Sequence, residues 1–115
     1  ETGSGSGANY TINVPMESGE GDEAYLDVFR KVLVPAADQF KPDFVIISAG
    51  FDAHRDDPLA SMGLTEAGYA ELTRIVADLA QRHCQGRILS CLEGGYHLEA
   101  LAASVERHLL ILLAA

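Results

Sequence analysis

Two continuous apolar runs place the strongest limit on how this chain can fold. Phe44–Ala49 and Ile88–Leu92 are apolar at almost every position instead of alternating with polar residues. A strand with one wet face would alternate, whereas a strand covered by helices on both faces is apolar throughout. Helical periodicity between the two runs makes them parallel, because a crossover helix returns the chain to the same end of the sheet. The sequence therefore predicts an α/β fold.

The residues before the first run predict a further strand and a helix. Asn9–Val14 alternates apolar and polar residues and is predicted to be a strand. The apolar positions of Glu23–Phe40 recur at helical spacing. Pro35 lies inside that pattern, so we expect a kink or a break near Lys31–Val34.

Two further helices follow the two apolar strands and complete a βαβαβα order. Thr65 is the predicted N-cap of the first, and the second begins at Leu98. Their apolar stripes are Tyr69, Leu72, Ile75, Val76 and Leu79 in the first helix and Leu101, Val105, Leu109 and Leu112 in the second. Glu1–Ala8, rich in Gly and Ser, is expected to be a loop or a flexible segment. The 115 residues are thus predicted to form one domain with a three-layer parallel sheet.

Charge, hydropathy and cysteine content exclude several classes of function. The chain has 8 Lys and Arg against 17 Asp and Glu, a net charge of −9, so no nucleic-acid partner is expected. No apolar run approaches the roughly 20 residues that span a bilayer, and no signal-peptide pattern opens the chain. Cys84 and Cys91 lack a CxxC spacing, so reduced thiols are expected. These features predict a cytoplasmic protein without a membrane partner.

Ionisable and glycine-rich residues follow both apolar strands. Asp52 and His54 come after the first strand, and Gly94, Gly95 and Tyr96 come after the second. Parallel strands lie about 4.8 Å apart and end at one edge, so Asp52 and Tyr96 are expected at a shared rim. Asp52 and His54 could supply two zinc ligands, although a catalytic zinc needs three. A carboxylate that stabilises its own loop and a tight glycine turn explain the same residues. Tyr96 could donate a hydrogen bond to an oxyanion or anchor the turn.

The remaining histidines do not complete a zinc site. His83, His97 and His108 show neither an HxxxH nor an HxH spacing. His83 and His108 lie in predicted helices and are expected at the helix surface. The residues alone indicate a candidate site and leave its activity open.

Three motifs, in order, resemble those of the histone deacetylase family. They are Tyr10–Pro15 with Gly19, Gly21 and Asp22, then Ser48–His54 with Asp57-Pro58-Leu59, and then Leu92–Tyr96. Bacterial and class II-like members are the most similar, including acetylpolyamine amidohydrolases and acetoin utilisation proteins. The resemblance covers essentially the whole chain and corresponds to the C-terminal half of the family's domain. It implies a partial arginase/deacetylase fold.

The resemblance implies a zinc-dependent amidohydrolase that acts on acetyl-lysine or acetylpolyamine substrates. Asp52 then corresponds to a carboxylate ligand of zinc, and Tyr96 to the tyrosine that hydrogen-bonds the acyl oxygen. His54 is not a ligand in the family. The positions near the acyl pocket are those of Phe51, Leu59, Gly94 and Gly95, and the Tyr10 backbone corresponds to a position near a structural monovalent cation.

By the same resemblance, the other two zinc ligands and a His-His dyad lie upstream of the segment that matches Glu1. One carboxylate holds zinc poorly, and without the dyad no general base takes the proton of the attacking water. We therefore predict a fragment that is inactive alone, binds no zinc tightly and needs its missing N-terminal half. The alternative is a noncatalytic module on the same fold that self-associates or binds a partner. Both alternatives predict association, because half of a parallel sheet leaves a strand edge and apolar surfaces such as Leu109–Leu113 exposed.

Overall fold

The sheet of the protein consists of two parallel strands. The computed structural model describes all 115 residues and places β1 at Val45–Ala49 and β2 at Ile88–Leu92, paired residue for residue along their length. The crossover between them is helix α3, Glu66–Cys84, which returns the chain to the same end of the sheet. Both strands lie where the apolar runs predict them, and the predicted α/β class is confirmed.

The residues before β1 form one continuous helical run. Helix α1, Asp22–Val28, continues through a π-helical turn, Phe29–Leu33, into helix α2, Val34–Phe40. Pro35 has no N–H, and in a regular α-helix its ring would clash with the carbonyl oxygen four residues back. The wider π turn just before Pro35 accommodates this conflict. The sequence predicts a kink or a break near Lys31–Val34, whereas the structure has a π-helical turn at Phe29–Leu33 within an unbroken helical run.

Helices α3 and α4 pack side by side against the sheet. The Thr65 hydroxyl accepts the Gly68 N–H at 3.1 Å and caps the start of α3, as predicted. Helix α4 spans Leu98–Ala114. Because α3 also contacts α1 and α2, it lies at the centre of the helical layer.

The core lies between this helical layer and the inner side of β1. Its buried members are Ala49, Phe51, Leu64, Tyr69 and Leu72. The Phe51 ring lies 4.9 Å from the Tyr69 ring and meets the His108 ring edge-on at 5.6 Å, measured between ring centroids. Phe51, the second residue of the loop after β1, is thus fixed by the core.

The outer face of the sheet carries no helices, which differs from the predicted three layers. Successive side chains of a strand point to opposite faces. Ile46 of β1 and Leu89 of β2 point outward and are 66% and 50% exposed. These 115 residues therefore form two layers, with an apolar sheet face open to solvent.

No strand forms at Asn9–Val14, although its residues alternate. Asn9 has φ of 68°, outside the strand region, and the side chains of Tyr10 and Ile12 are 71% and 54% exposed. A strand needs a neighbouring strand for its backbone hydrogen bonds, and β1 and β2 pair only with each other. Alternation in sequence cannot supply that partner.

The N-terminal segment has little regular structure. Glu1–Ala8 contains one short 3₁₀ turn, Gly5–Gly7, and is otherwise irregular. No helix of the protein combines the length and the apolar character that a membrane span requires.

Candidate functional site

Two loops at the carboxyl ends of the strands form the candidate site. The β1 loop, residues 50–58, follows β1, and the β2 loop, residues 93–97, follows β2. The Phe51 N–H donates to the Gly94 carbonyl oxygen at 2.8 Å, which extends the parallel hydrogen-bond ladder beyond the strands. The two loops are therefore held side by side.

The Asp52 carboxylate and the Tyr96 hydroxyl approach each other beside Gly94. A Cβ atom built on Gly94 would lie 3.2 Å from Asp52 Oδ2 and 3.3 Å from the Tyr96 hydroxyl oxygen. Tyr96 is 55% exposed and Asp52 is half-buried, so a ligand can reach both groups from solvent. The structure thus brings together the two groups that the sequence places at a shared rim.

Gly95 allows the β2 loop to turn closely over the core. Its φ is 147°, a region that side-chain-bearing residues rarely adopt. A Cβ atom there would lie 2.6 Å from Leu101 Cδ1 and 3.4 Å from Phe51 Cβ. A side chain at this position would therefore strain the backbone and would require the Leu101 side chain of α4 to move.

Asp57 is a buried carboxylate that joins the two loops. Its Oδ2 accepts the Tyr96 N–H at 2.8 Å, and its Oδ1 accepts the Leu59 N–H at 2.9 Å. Burial by itself raises the pKa of Asp57, but the backbone N–H groups of Leu59, Tyr96, Ala60 and His97 lower the pKa to a net value below the ordinary one. The carboxylate is therefore ionised at neutral pH. The Asp57-Pro58-Leu59 motif is visible in the sequence, but nothing in the sequence indicates that Asp57 binds the β2 loop.

His54 is not available as a metal ligand. Its ring is 2% exposed, and Nδ1 accepts the Asp56 N–H at 3.1 Å, so Nε2 carries the proton. Nε2 then donates to Glu66 Oε2 at 2.7 Å, a bond that lowers the pKa of Glu66. Both ring nitrogens are thus used, and the Asp52–His54 zinc pair suggested by the spacing does not form. His54 instead ties the β1 loop to the start of α3.

Similarity to known deacetylases extends over nearly the whole chain. The histone deacetylase domain family matches residues 1–112. The chain belongs to the histone deacetylase family. It is 46% identical over 99 residues to a probable deacetylase of Archaeoglobus fulgidus, and the aligned region covers 86% of this chain and 28% of that protein. It is also 36% identical over 96 residues to the histone deacetylase-like amidohydrolase of Pseudomonas aeruginosa, and here the aligned region covers 84% of this chain and 25% of that protein.

A solved deacetylase structure agrees in fold. The crystal structure of the HDA15 HD domain matches with a TM-score of 0.91 at 46% identity, covering 98% of this chain and 31% of that chain. The family resemblance and the partial arginase/deacetylase fold are therefore confirmed. The chain spans between 25% and 31% of the length of these three deacetylases.

The other residues matched to deacetylase positions lie in different surroundings. Leu59 is 68% exposed beside Asp57. The Phe51 side chain is 4% exposed and lies in the core, with its Cβ atom beside Gly95 of the β2 loop, and its role near a substrate pocket stays a prediction. The Tyr10 ring packs edge-on against Phe40, and the cation contact of its backbone stays a prediction.

His108 is buried, so the prediction that it lies at a helix surface is wrong. The Thr73 hydroxyl donates to the Tyr69 carbonyl oxygen, so it accepts from His108 Nδ1 at 2.7 Å. His108 Nε2 then accepts from the Ser90 hydroxyl at 2.8 Å. Burial lowers the pKa of His108, which keeps the ring neutral at neutral pH. The ring therefore joins α4, α3 and β2. His83 is half-buried beside the Asp38 carboxylate.

At the rim of the two loops, Asp52 is the carboxylate that fits the catalytic zinc ion implied by the family resemblance. No group of three His, Cys, Asp or Glu side chains is placed to hold a metal ion. A catalytic zinc takes three protein ligands and keeps one open position. Asp52 fits as one of the three, because it is half-buried at the rim and faces the Tyr96 hydroxyl. A zinc site of this kind would need its other ligands from outside these 115 residues.

Proposed function

We propose that this chain forms part of the active site of a zinc-dependent deacetylase, with Asp52 as one zinc ligand and Tyr96 as the oxyanion donor. The convergence of Asp52 Oδ2 and the Tyr96 hydroxyl beside Gly94 carries this proposal. When bound, zinc would make hydroxide available near neutral pH and would polarise the acyl carbonyl. The Tyr96 O–H would donate to the carbonyl oxygen, which gains negative charge as the amide is attacked.

The substrate class that fits this pair is an acetylated amine, such as acetyl-lysine or an acetylpolyamine. Two relatives are named a deacetylase and an amidohydrolase, and both names describe removal of an acyl group or hydrolysis of an amide. Tyr96 is half exposed and reaches the rim from the solvent side, as a donor to an entering acyl group should. We expect no nucleic-acid partner, because the net charge of −9 repels phosphates. We assign the chain to the cytoplasm, since Cys84 and Cys91 are unpaired thiols.

We infer that the 115 residues have no deacetylase turnover by themselves. Amide hydrolysis needs a group that takes the proton of water and protonates the leaving amine, usually a histidine. The adjacent His-His dyad that the resemblance assigns to this step does not occur in the chain, and His54 and His108 have both ring nitrogens in hydrogen bonds within the fold. The side-chain hydrogen-bond pairs of the histidines are His54 with Glu66, His83 with Asp38, His97 with the Ala100 N–H, and His108 with Thr73 and Ser90.

An apolar groove along the free edge of β1 supports completion of the site by further polypeptide. The groove has a volume of about 870 Å³ and runs between β1 and α1–α2. Phe40 and Phe44 line it and are 64% and 52% exposed. β1 has a single neighbour, so the backbone groups of its other edge are free to pair with another strand. We assign the groove to the remainder of a deacetylase domain.

Self-association is the alternative function that a specific observation favours. Leu109, Leu110 and Leu113 of α4 are 50%, 54% and 82% exposed, and the outer face of the sheet is apolar as well. Surfaces of this kind bind other apolar surfaces. A second copy of the chain could cover them without any catalytic role.

Three measurements on the purified 115-residue chain test these proposals. Inductively coupled plasma spectrometry should find zinc well below one ion per chain, and an acetyl-lysine peptide should stay uncleaved. Stoichiometric zinc together with turnover would refute the inactivity of the chain alone. Light scattering should give a mass above that of one protomer. A monomeric mass would contradict association through the free edge of β1 and the exposed apolar surfaces.

A further inference from the structure

The hydrogen bond from the Tyr96 N–H to Asp57 Oδ2 links the β1 loop to the β2 loop. We propose that Asp57 is a positioning residue: by binding the Tyr96 backbone N–H, it holds the Tyr96 hydroxyl opposite Asp52. This inference rests on the proposed function, because it concerns the same site.

Neither its own side chain nor the two glycines before it position Tyr96 by themselves. Its side chain is 55% exposed, so few packing contacts restrain the ring. Gly94 and Gly95 precede it, and glycine backbones populate more conformations than any others. A restraint on the Tyr96 backbone therefore limits the directions that the exposed ring can take.

Asp57 supplies that restraint from a fixed position. The Tyr96 N–H donates to Oδ2 of this ionised, buried group at 2.8 Å, and hydrogen bonds to a carboxylate are stronger than neutral ones. The Asp57 N–H in turn donates to the His54 carbonyl oxygen at 3.0 Å. His54 is itself fixed by Glu66 at the start of α3. A continuous set of hydrogen bonds thus connects α3 to the tyrosine.

The same carboxylate makes two separable contacts. Oδ1 accepts the Leu59 N–H, a local turn within the β1 loop, whereas Oδ2 accepts the N–H of a residue 39 positions away. In Asp57→Asn, one oxygen is replaced by an NH₂ group that only donates. Asparagine readily keeps the local turn to the residue two positions on. Its NH₂ group would then face the Tyr96 N–H, and the bond between the loops would be lost.

Nuclear magnetic resonance of the labelled 115-residue chain tests this directly. In Asp57→Asn, the Tyr96 N–H should exchange with solvent about tenfold faster or more, while exchange at Leu59 changes by less than about threefold. The nuclear Overhauser contact between the Tyr96 ring and the Gly94 α protons should disappear. Asp56→Asn is the matched control, because it makes the same charge change at the neighbouring carboxylate, which is 54% exposed. It should leave both observations unchanged.

Unchanged exchange at Tyr96 and an unchanged Tyr96–Gly94 contact in Asp57→Asn would overturn the positioning role. A measurement on the wild-type chain covers the case in which the variant fails to fold. Scalar coupling across the hydrogen bond between the Tyr96 nitrogen and Asp57 Cγ should be present, and its absence would refute the inference. If the coupling and the exchange results hold but Tyr96→Phe has no effect on a complete deacetylase site, the proposed function fails and the positioning of Tyr96 stands.

Discussion

Substitution of His108 by alanine is expected to lower the free energy of unfolding by about 2–4 kcal/mol. The ring is 6% exposed and bonds to Thr73 on α3 and to Ser90 on β2 at 2.7 and 2.8 Å. The substitution removes two buried hydrogen bonds of about 0.5–1.5 kcal/mol each. It also removes the edge contact with the Phe51 ring at 5.6 Å and leaves a cavity. Since small domains have about 5–15 kcal/mol in total, the loss should be easy to measure.

The same ring should make the fold less stable in mild acid. Burial lowers the pKa of His108 below its ordinary 6.5, because the charged imidazolium loses its hydration. The unfolded chain therefore takes up this proton at a higher pH than the folded chain does, and protonation favours unfolding. The stabilisation by the neutral ring is complete above about pH 6.5. It decreases by up to about 1.4 kcal/mol per pH unit as the pH falls toward the folded-state pKa.

Urea unfolding between about pH 5 and about pH 8, followed by circular dichroism, measures both effects. His97→Asn is the control, because asparagine can still accept the Ala100 N–H that His97 accepts. Wild type and control should lose stability below about pH 6.5, whereas His108→Ala should be less stable at about pH 8 and show a flatter dependence. Two results would contradict the stabilising role of the His108 ring. One is a free energy of unfolding of His108→Ala within about 0.5 kcal/mol of wild type at about pH 8, and the other is a pH dependence as steep as that of wild type.

Three further substitutions test the fold and the site. In Gly94→Ala, the new Cβ atom would lie 3.2 Å from Asp52 Oδ2 and 3.3 Å from the Tyr96 hydroxyl oxygen, so these side chains should shift by a few tenths of an ångström. Unchanged nuclear magnetic resonance chemical shifts of Asp52 and Tyr96 would argue against this. In Gly68→Ala, the new Cβ atom would overlap the Asp22 carboxylate, so thermal unfolding should show a loss of about 1–3 kcal/mol in the free energy of unfolding. An unchanged unfolding midpoint would contradict this close approach. Ile46→Lys places a charge on the open sheet face and should lower the mass measured by light scattering. An unchanged mass above one protomer would contradict association through this face.

The two strands and the shared rim could be predicted from sequence because they follow from local patterns. Continuous apolar runs identify β1 and β2, and the helical pattern between them makes the strands parallel. Parallel strands end at one edge, so Asp52 and Tyr96 had to emerge together whatever the loops did afterward. Pro35 likewise acts on its own preceding turn, and so an irregularity before it was predictable, although its π-helical form was not.

The features that sequence reasoning missed depend on distant partners. Asn9–Val14 alternates as a strand does, but no strand of the described chain lies beside it. The fully buried residues of α4 are Ala100, Ser104 and His108. They lie beside the predicted apolar stripe of Leu101, Val105, Leu109 and Leu112 and are not part of it. The small side chains among them let α4 approach α3 closely. A polar ring is buried there because Thr73 and Ser90 satisfy both of its nitrogens.

The role of Asp57 could not be seen from sequence for the same reason. The Asp-Pro-Leu motif indicates a turn, and the local bond to the Leu59 N–H is typical of one. The second bond joins Asp57 to Tyr96, a residue in another loop. Only the register of two parallel strands brings these loops together.

A chimeric deacetylase tests most directly whether Asp52 and Tyr96 act in one zinc site. This chain would replace the matching 99 residues of the Archaeoglobus fulgidus protein. We predict that the chimera binds zinc and cleaves an acetyl-lysine peptide. Asp52→Ala should lower its zinc content and abolish turnover, whereas Tyr96→Phe should keep zinc and lower kcat about 10²–10³-fold. A zinc-loaded chimera whose turnover survives both substitutions would contradict the shared site.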